Sequence, residues 1–284
     1  MLTPELWRKS GELIAIGKYR LFVKSIGQGA PIIALHGFPT SSYDYSRLVP
    51  LLADRYQLIL FDYPGYGFSD KPDPHLYSLN EAAGCLRAVA AHFGIQRAFV
   101  LAHDIGDSVA LIALLRQTPI IDKLILMNGS VVSIPFDDVV MRTTQRALLH
   151  PALGPLIGRL GLINKRFFAA TTKKLFSYPL PSPELDAFWS IITHHRGNRL
   201  YPLLMRYMLE RWQHQYDWLD TLRQSRVPLT LIWGQTDPIA TPAVADAVVS
   251  YRPDATYIRL EGVGHYPHWE APEVVAGVVR DAFG

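Results

Sequence analysis

A single cysteine, Cys85, stands among 284 residues, which excludes an intramolecular disulfide and any metal site built on thiolates. It falls in a helical stretch and reads as packing. Charge of one sign is also scarce. Twenty-eight Lys and Arg against 25 Asp and Glu leave a formal +3, dispersed along the chain, too little to argue for a nucleic-acid or membrane-surface partner. No uncharged apolar run approaches the roughly 18 residues that span a bilayer, because Asp104 and Asp107 interrupt the most apolar region. Met1 to Ser10 mixes Glu5, Arg8 and Lys9 with apolar residues, unlike the continuous apolar core of a signal peptide, so a cytoplasmic location is expected. Gly65-Tyr66-Gly67 does not continue to a third glycine opening a helix, so no phosphate loop is read there. His194 and His195 are adjacent rather than at ligand spacing and read as a surface helix pair. The expectation is therefore a protein with no cofactor and no metal, acting on a small apolar molecule. A homodimer is left open.

What is present is a strand and helix alternation. Leu13 to Ile16 and Tyr19 to Lys24 flank Gly17-Lys18, the two-residue spacing of a hairpin, and are expected at the sheet edge. Short apolar runs follow at Pro31 to Leu35, Tyr56 to Phe61, Ala98 to Ala102, Lys123 to Met127, Thr230 to Trp233 and Thr256 to Leu260. Runs apolar on both faces, separated by helix-length stretches such as Asn80 to Phe93, imply a mainly parallel sheet covered on both sides: an α/β fold of eight strands. The alternation breaks after Asn128 and resumes near Val227. Between them Leu148 to Leu162, Ser182 to Thr193 and Tyr201 to Trp218 have helical spacing, and Pro135, Pro151, Pro155, Pro179, Pro181 and Pro183 mark breaks between short helices. We expect core segments 1–130 and 221–284 enclosing an inserted helical cap, 131–220. Such a cap excludes water from a small apolar site.

Asp104 lies between the apolar strand ending at Leu101-Ala102 and the helix containing Val109 to Leu115. Ala102 and Gly106 flank it two positions either side, the small-residue pattern of the strained G-x-S-x-G turn, with a carboxylate in place of serine. A carboxylate there attacks saturated carbon and forms an alkyl ester of the protein. The plainer reading is an Asp capping the following helix. His265, in the glycine-flanked loop Gly262-Val263-Gly264-His265, follows the last strand and is the candidate general base. Asp237 follows the penultimate strand and can fix the imidazole through Nδ1, or can simply form a turn before Pro238. The backbone N–H groups of Phe38, in His36-Gly37-Phe38-Pro39, and of Ile105 can converge on one oxygen as an oxyanion hole. An epoxide needs an acid for its leaving oxygen. Tyr207 is the first candidate and Tyr178 and Tyr201 are reserves, each equally readable as a tyrosine packed among helices. His36 and His103 are further candidates for contact with substrate.

The set HGFP (36–39), DYPGYGFSD (62–70), HDIG (103–106) and Gly264-His265 resembles the epoxide hydrolase and haloalkane dehalogenase branch of the α/β-hydrolase superfamily across nearly the whole chain. Within it, HGFPTSSYD (36–44), GYGFSDKP (65–72), HDIGD (103–107) and His265-Tyr266-Pro267 are most similar to the mesoderm-specific transcript proteins. The resemblance implies an Asp nucleophile, a His base and an acid after the penultimate strand, landing on Asp104, His265 and Asp237. Haloalkane dehalogenases place Trp after the nucleophile and Asn in the HGNP motif, where this chain has Ile105 and Phe38. Fluoroacetate dehalogenases resemble HDRG, where Ile105 again replaces the arginine. Epoxide hydrolases carry two cap tyrosines. Tyr207 matches the later one, and the earlier position holds Phe136. Epoxide hydrolysis is the leading expectation. Haloalkane or haloacid dehalogenation, ester or lactone hydrolysis, and a non-catalytic binding protein of the same fold are the alternatives.

Overall fold

The computed structural model describes residues 2–129, 131–132 and 143–284. Eight strands form one sheet in the order β1-β2-β4-β3-β5-β6-β7-β8, with β1 Glu12–Ile16, β2 Tyr19–Ile26, β3 Ala30–Leu35, β4 Tyr56–Phe61, β5 Ala98–His103, β6 Ile121–Met127, β7 Leu229–Gly234 and β8 Thr256–Leu260. β1 and β2 pair antiparallel, Ile16 opposite Tyr19, across a turn in which Gly17 has φ +60°. Glycine reaches that value without the penalty a Cβ brings. β2 also pairs antiparallel with β4, and every later pairing is parallel. Only half of the hairpin is therefore an edge. β1 closes the sheet, while β2 is internal, because its Val23 to Ile26 half hydrogen-bonds to Leu58–Phe61.

Apolar residues on both faces of the central strands feed two cores. Ile33, Leu35, Val100, Ala102 and Trp233 point to the side covered by the helices Leu79–His92 and Ile105–Leu115. Ile32, Ala34, Leu101, Met127 and Ile232 point to the side covered by Val49–Leu52 and the terminal helix Pro272–Phe283. Each large side chain so buried contributes roughly 1.5–3 kcal/mol. Cys85 packs in the first of these cores, and burial, then the nearby Glu81 charge, push its thiol up to about 12.

Between β6 and β7 the described residues form helices: Thr143–Leu149, Leu153–Arg159, Lys165–Thr172, Ser182–Ile192, Tyr201–Leu204 and Tyr207–Gln224. Within Leu148 to Leu162, where Pro151 and Pro155 are expected to mark breaks between short helices, the break falls at Pro151, between Thr143–Leu149 and Leu153–Arg159, and Pro155 lies inside the second helix. His194 and His195 do not form a regular helix pair. The turn His194–Leu200 kinks there, with His195 and Arg196 at φ +50° and +61°. Tyr207–Gln224 packs back against Ile105–Leu115, which joins the helical block to the core at the element that Asp104 introduces. No helix among the described residues is long and apolar enough to cross a membrane.

Candidate active site

The carboxyl ends of the parallel strands bring His36 to Phe38, Asp104, Asn128, Asp237 and His265 to one rim of the sheet, the position at which α/β folds place ligands. Asp104 has φ +51° and ψ −114°, a conformation that costs a non-glycine residue of order 1–3 kcal/mol. Packing imposes it. A Cβ on Gly106 would lie 2.4 Å from the carbonyl oxygen of Leu35, and one on Gly37 would lie 2.9 Å from the Asp104 Cβ. Asp104 occupies the N-cap position of Ile105–Leu115, yet its side chain makes no capping hydrogen bond. Its Oδ2 instead accepts the backbone N–H of Phe38 at 2.8 Å. Ile105 is the first residue of the helix, so its N–H has no intrahelical acceptor.

His265 and Asp237 are 3% exposed and joined by an Nδ1–H donated to Asp237 Oδ2 at 2.6 Å. The two readings of Asp237 are both satisfied, because its other oxygen accepts the Ile239 N–H at 2.8 Å and forms the turn. Asn128 completes the support: its amide donates to Asp237 Oδ2 (2.8 Å) while its oxygen accepts the Gly234 N–H (2.8 Å). Burial alone would raise the Asp237 pKa; the His265 charge and these hydrogen bonds hold it below the usual carboxylate value. Burial likewise pushes His265 down, and Asp237, then Asp104 and Glu270, reverse this and lift it to about 9.

The loop carrying His265 is tied to the helical block. Glu270 accepts the N–H groups of Gly264 (3.1 Å) and Tyr266 (3.2 Å) with one oxygen, and the N–H (2.8 Å) and hydroxyl (2.6 Å) of Ser177 with the other. The N–H of His265 itself donates to Leu175 O at 2.7 Å. Asn128 and Glu270 were not singled out in the sequence. Asn128 follows a strand end directly, a place worth inspecting, whereas Glu270 carries no local signal.

Asp104 and His265 line a cavity of about 410 Å³, with Phe38, Tyr201 and Tyr207 also in its wall. The rings of Tyr201 and Tyr207 lie 4.7 and 5.5 Å from that of Phe38. Three residues expected at the substrate lie elsewhere. His36 is fully buried beneath the loop, where Nδ1 donates to Gly37 O (2.8 Å) and Nε2 accepts the Tyr63 N–H (3.2 Å). His103 donates from Nε2 to the carbonyl of His265 (2.8 Å), which holds the loop rather than a ligand. Tyr178 lies outside the cavity lining, its hydroxyl accepting from Arg47 (3.3 Å), which pairs with Glu184 (2.6 Å). Phe136 lies outside the described residues.

Among the described residues, Asp44, His103 and His268 form a buried group whose donor atoms lie within 4.8 Å of one another, the arrangement closest to a metal site. Burial raises the Asp44 pKa and lowers those of both histidines. That combination favours a protonated acid with neutral imidazoles.

The model of the alpha/beta hydrolase family matches residues 32–278. The chain belongs to that family. This hydrolase is 36% identical over 286 residues to LipZ of Mycobacterium tuberculosis, covering 97% of each chain. It is 33% identical over 292 residues to the human mesoderm-specific transcript homolog protein, covering 95% of this chain and 85% of that one. Among solved structures, the epoxide hydrolase CorEH superposes with a TM-score of 0.79 at 20% identity, covering 96% of this chain and 98% of that one. The haloalkane dehalogenase DbeA of Bradyrhizobium elkani gives 0.80 at 24% over 96% and 98%. At such identities the superpositions establish the fold.

Proposed function

We propose that this hydrolase opens an apolar epoxide to a vicinal diol through an alkyl ester on Asp104, with residues 131–220 acting as a cap on the core formed by 1–130 and 221–284. The observation that carries the reading is the placement of a carboxylate, not a hydroxyl, on the strained turn, facing a cavity it shares with the His265–Asp237 pair. Asp104 attacks a ring carbon, the carbon–oxygen bond breaks, and the epoxide oxygen takes a proton from Tyr207 or Tyr201. Alkylation removes the Asp104 charge, one of the causes that lift the His265 pKa. The imidazolium then returns its proton to the tyrosinate and becomes the base the second step needs. Water attacks the ester carbon while His265 takes its proton, and the oxyanion forms against the N–H groups of Phe38 and Ile105. Collapse expels the diol oxygen, which recovers that proton, and the Asp104 carboxylic acid so formed gives its own proton to His265, restoring the carboxylate and the imidazolium.

Two tyrosines in the cavity wall supply the acid this route requires. Phe38 and Ile105, at the positions where haloalkane dehalogenases resemble one another in carrying Asn and Trp, offer no side-chain N–H to a departing halide. Epoxide opening is therefore favoured over dehalogenation. The test is intact mass after incubating His265→Gln with panels of epoxides, haloalkanes and esters. An adduct of epoxide mass on Asp104, absent from Asp104→Asn and diminished in Tyr201→Phe/Tyr207→Phe, is the expected result. Halide release with an alkyl adduct, or acid formation without any adduct, would replace it.

A further inference from the structure

The cavity is apolar over most of its wall, and Asp104 is the only acid among the described residues that line it, yet Arg211 and Lys174 line it too. Arg211 is the informative one. Its Nε is buried without a hydrogen-bond partner, and no carboxylate among the described residues pairs with it. The adjacent acid, Glu210, is turned to the other side of the helix, where it accepts the Leu79 N–H at 3.0 Å. Leaving a buried donor unpaired is unfavourable, and more so when the donor is charged. Such a group is conspicuous in a wall that it shares with Phe167, Leu148, Met205 and Met208.

The position of Arg211 relative to the reacting carboxylate is set by a short series of contacts. Phe38 donates its N–H to Asp104 (2.8 Å), the Phe38 ring meets that of Tyr207 (5.5 Å), and the Arg211 guanidinium lies 5.8 Å from the Tyr207 ring. Tyr207 and Arg211 are four residues apart on Tyr207–Gln224, hence on one face, with Arg211 about 6 Å farther along the axis. We infer that the natural substrate is amphipathic: an aliphatic epoxide ending in a carboxylate, whose planar anion seats on Arg211 while its chain lies along the apolar wall. This rests on the epoxide reading above for the reacting end only. A guanidinium fork matches a planar carboxylate two N–H groups at a time, and the other cation of the lining, Lys174, is exposed, so the buried end of the site favours a carboxylate over a phosphate dianion. The separation also selects length. A very short epoxy acid would hold its carboxylate beside Asp104, like charge against like, whereas a medium chain spans to Arg211.

The experiment uses the full chain and terminal epoxides of graded length, each as the carboxylate, the primary amide and the alkyl phosphate. The expected result is a preference for the carboxylate over the amide of about 10- to 100-fold in kcat/KM, carried mostly in KM and rising from short to medium chains. Arg211→Gln collapses the carboxylate-to-amide ratio toward unity, and Arg211→Lys restores part of it. In parallel, saturated carboxylic acids of the same lengths are titrated calorimetrically, a measurement that needs no turnover. Binding lost in Arg211→Gln and weakened by salt supports the anion site even where no epoxide reacts, and then the epoxide reading alone falls. Equal turnover of acid and amide by the wild type, a ratio unchanged in Arg211→Gln, or a preference for the phosphate overturns the inference.

Discussion

Replacing Asp237 by Asn should change how stability depends on pH, and the structure gives both the sign and the size. His265 is fully buried and its pKa is lifted to about 9, against about 6.5 in an unfolded chain. A histidine whose folded pKa is raised contributes its full stabilisation below pH 6.5. It loses that contribution as pH rises through 9, because over this window the folded state binds a proton that the unfolded state has released. The slope is about 1.4 kcal/mol per pH unit, and the whole contribution about 3 kcal/mol. Asp237 itself, held below its ordinary value, adds a term present above the usual carboxylate pKa and lost as pH falls through its folded pKa. The wild type should therefore draw most from the pair between about pH 4 and 6.5. In Asp237→Asn the principal cause of the rise is gone, burial dominates, and His265 is neutral across the window. Other groups also tilt the curves: His36, His103 and His268 have lowered pKa values, and Lys71 is brought down to about 8. The contributions of His36 and Lys71 are common to both proteins and cancel in the difference; His103 and His268, lowered first by burial and only in part by the His265 charge, stay neutral across the window in both. Urea unfolding of both proteins from pH 5 to 10 measures that difference. It should shrink by about 3 kcal/mol between pH 6.5 and 9.5. Parallel curves, offset but unchanged in shape, would refute the coupling on which the base assignment rests.

Two further substitutions probe the scaffold. Gly106→Ala forces a Cβ to 2.4 Å from a backbone carbonyl that no side-chain rotation can move; a loss of about 1–3 kcal/mol in chemical denaturation is expected, and a neutral result would mean the turn is looser than its geometry. Glu270→Gln turns one arm of an acceptor that receives three N–H groups and a hydroxyl into a donor. We expect destabilisation of about 1.5–3 kcal/mol and, in single turnover, a slower loss of the Asp104 adduct than its formation would suggest, since the loop it holds carries His265. Equal slowing of both steps would assign Glu270 a general structural part instead.

The eight strands were legible because each central run is apolar on both faces, and a strand of a covered parallel sheet has no other way to be written. The hairpin was legible from Gly17. Its place in the sheet was not, since nothing local to Tyr19–Ile26 announces the second partner, β4. Pro151 marked a break between short helices, and two helices do flank it, whereas Pro155, read in the same way, sits in the first turn of Leu153–Arg159, where a proline costs no hydrogen bond. The same division runs through the site. Asp104, Asp237 and His265 follow strand ends at spacings the fold fixes, so their convergence was readable. His36 and His103 sit in the same motifs, and only the tertiary partners of each ring distinguish one that lines the cavity from one that holds a loop. Asn128, Glu270 and Arg211 act on residues far away in sequence, through partners or the lack of them, and no periodicity encodes that.

The connections through Glu270 and Leu175 bear on how the helical block and the core act together. Leu175 lines the cavity and receives the His265 N–H on its carbonyl, and Ser177, two residues on, is held by the carboxylate that also holds both neighbours of His265. A shift of this segment to admit a ligand therefore cannot leave the imidazole where it was. On the opposite wall Tyr207 and Arg211 belong to one rigid helix that packs on the helix begun by Asp104. One wall thus moves with the helix that Asp104 introduces and the other with the loop that carries His265. Under the proposed epoxide chemistry, a ligand seated along Tyr207 and Arg211 is therefore placed relative to Asp104, and where it also touches Leu175 it bears on the loop that carries His265.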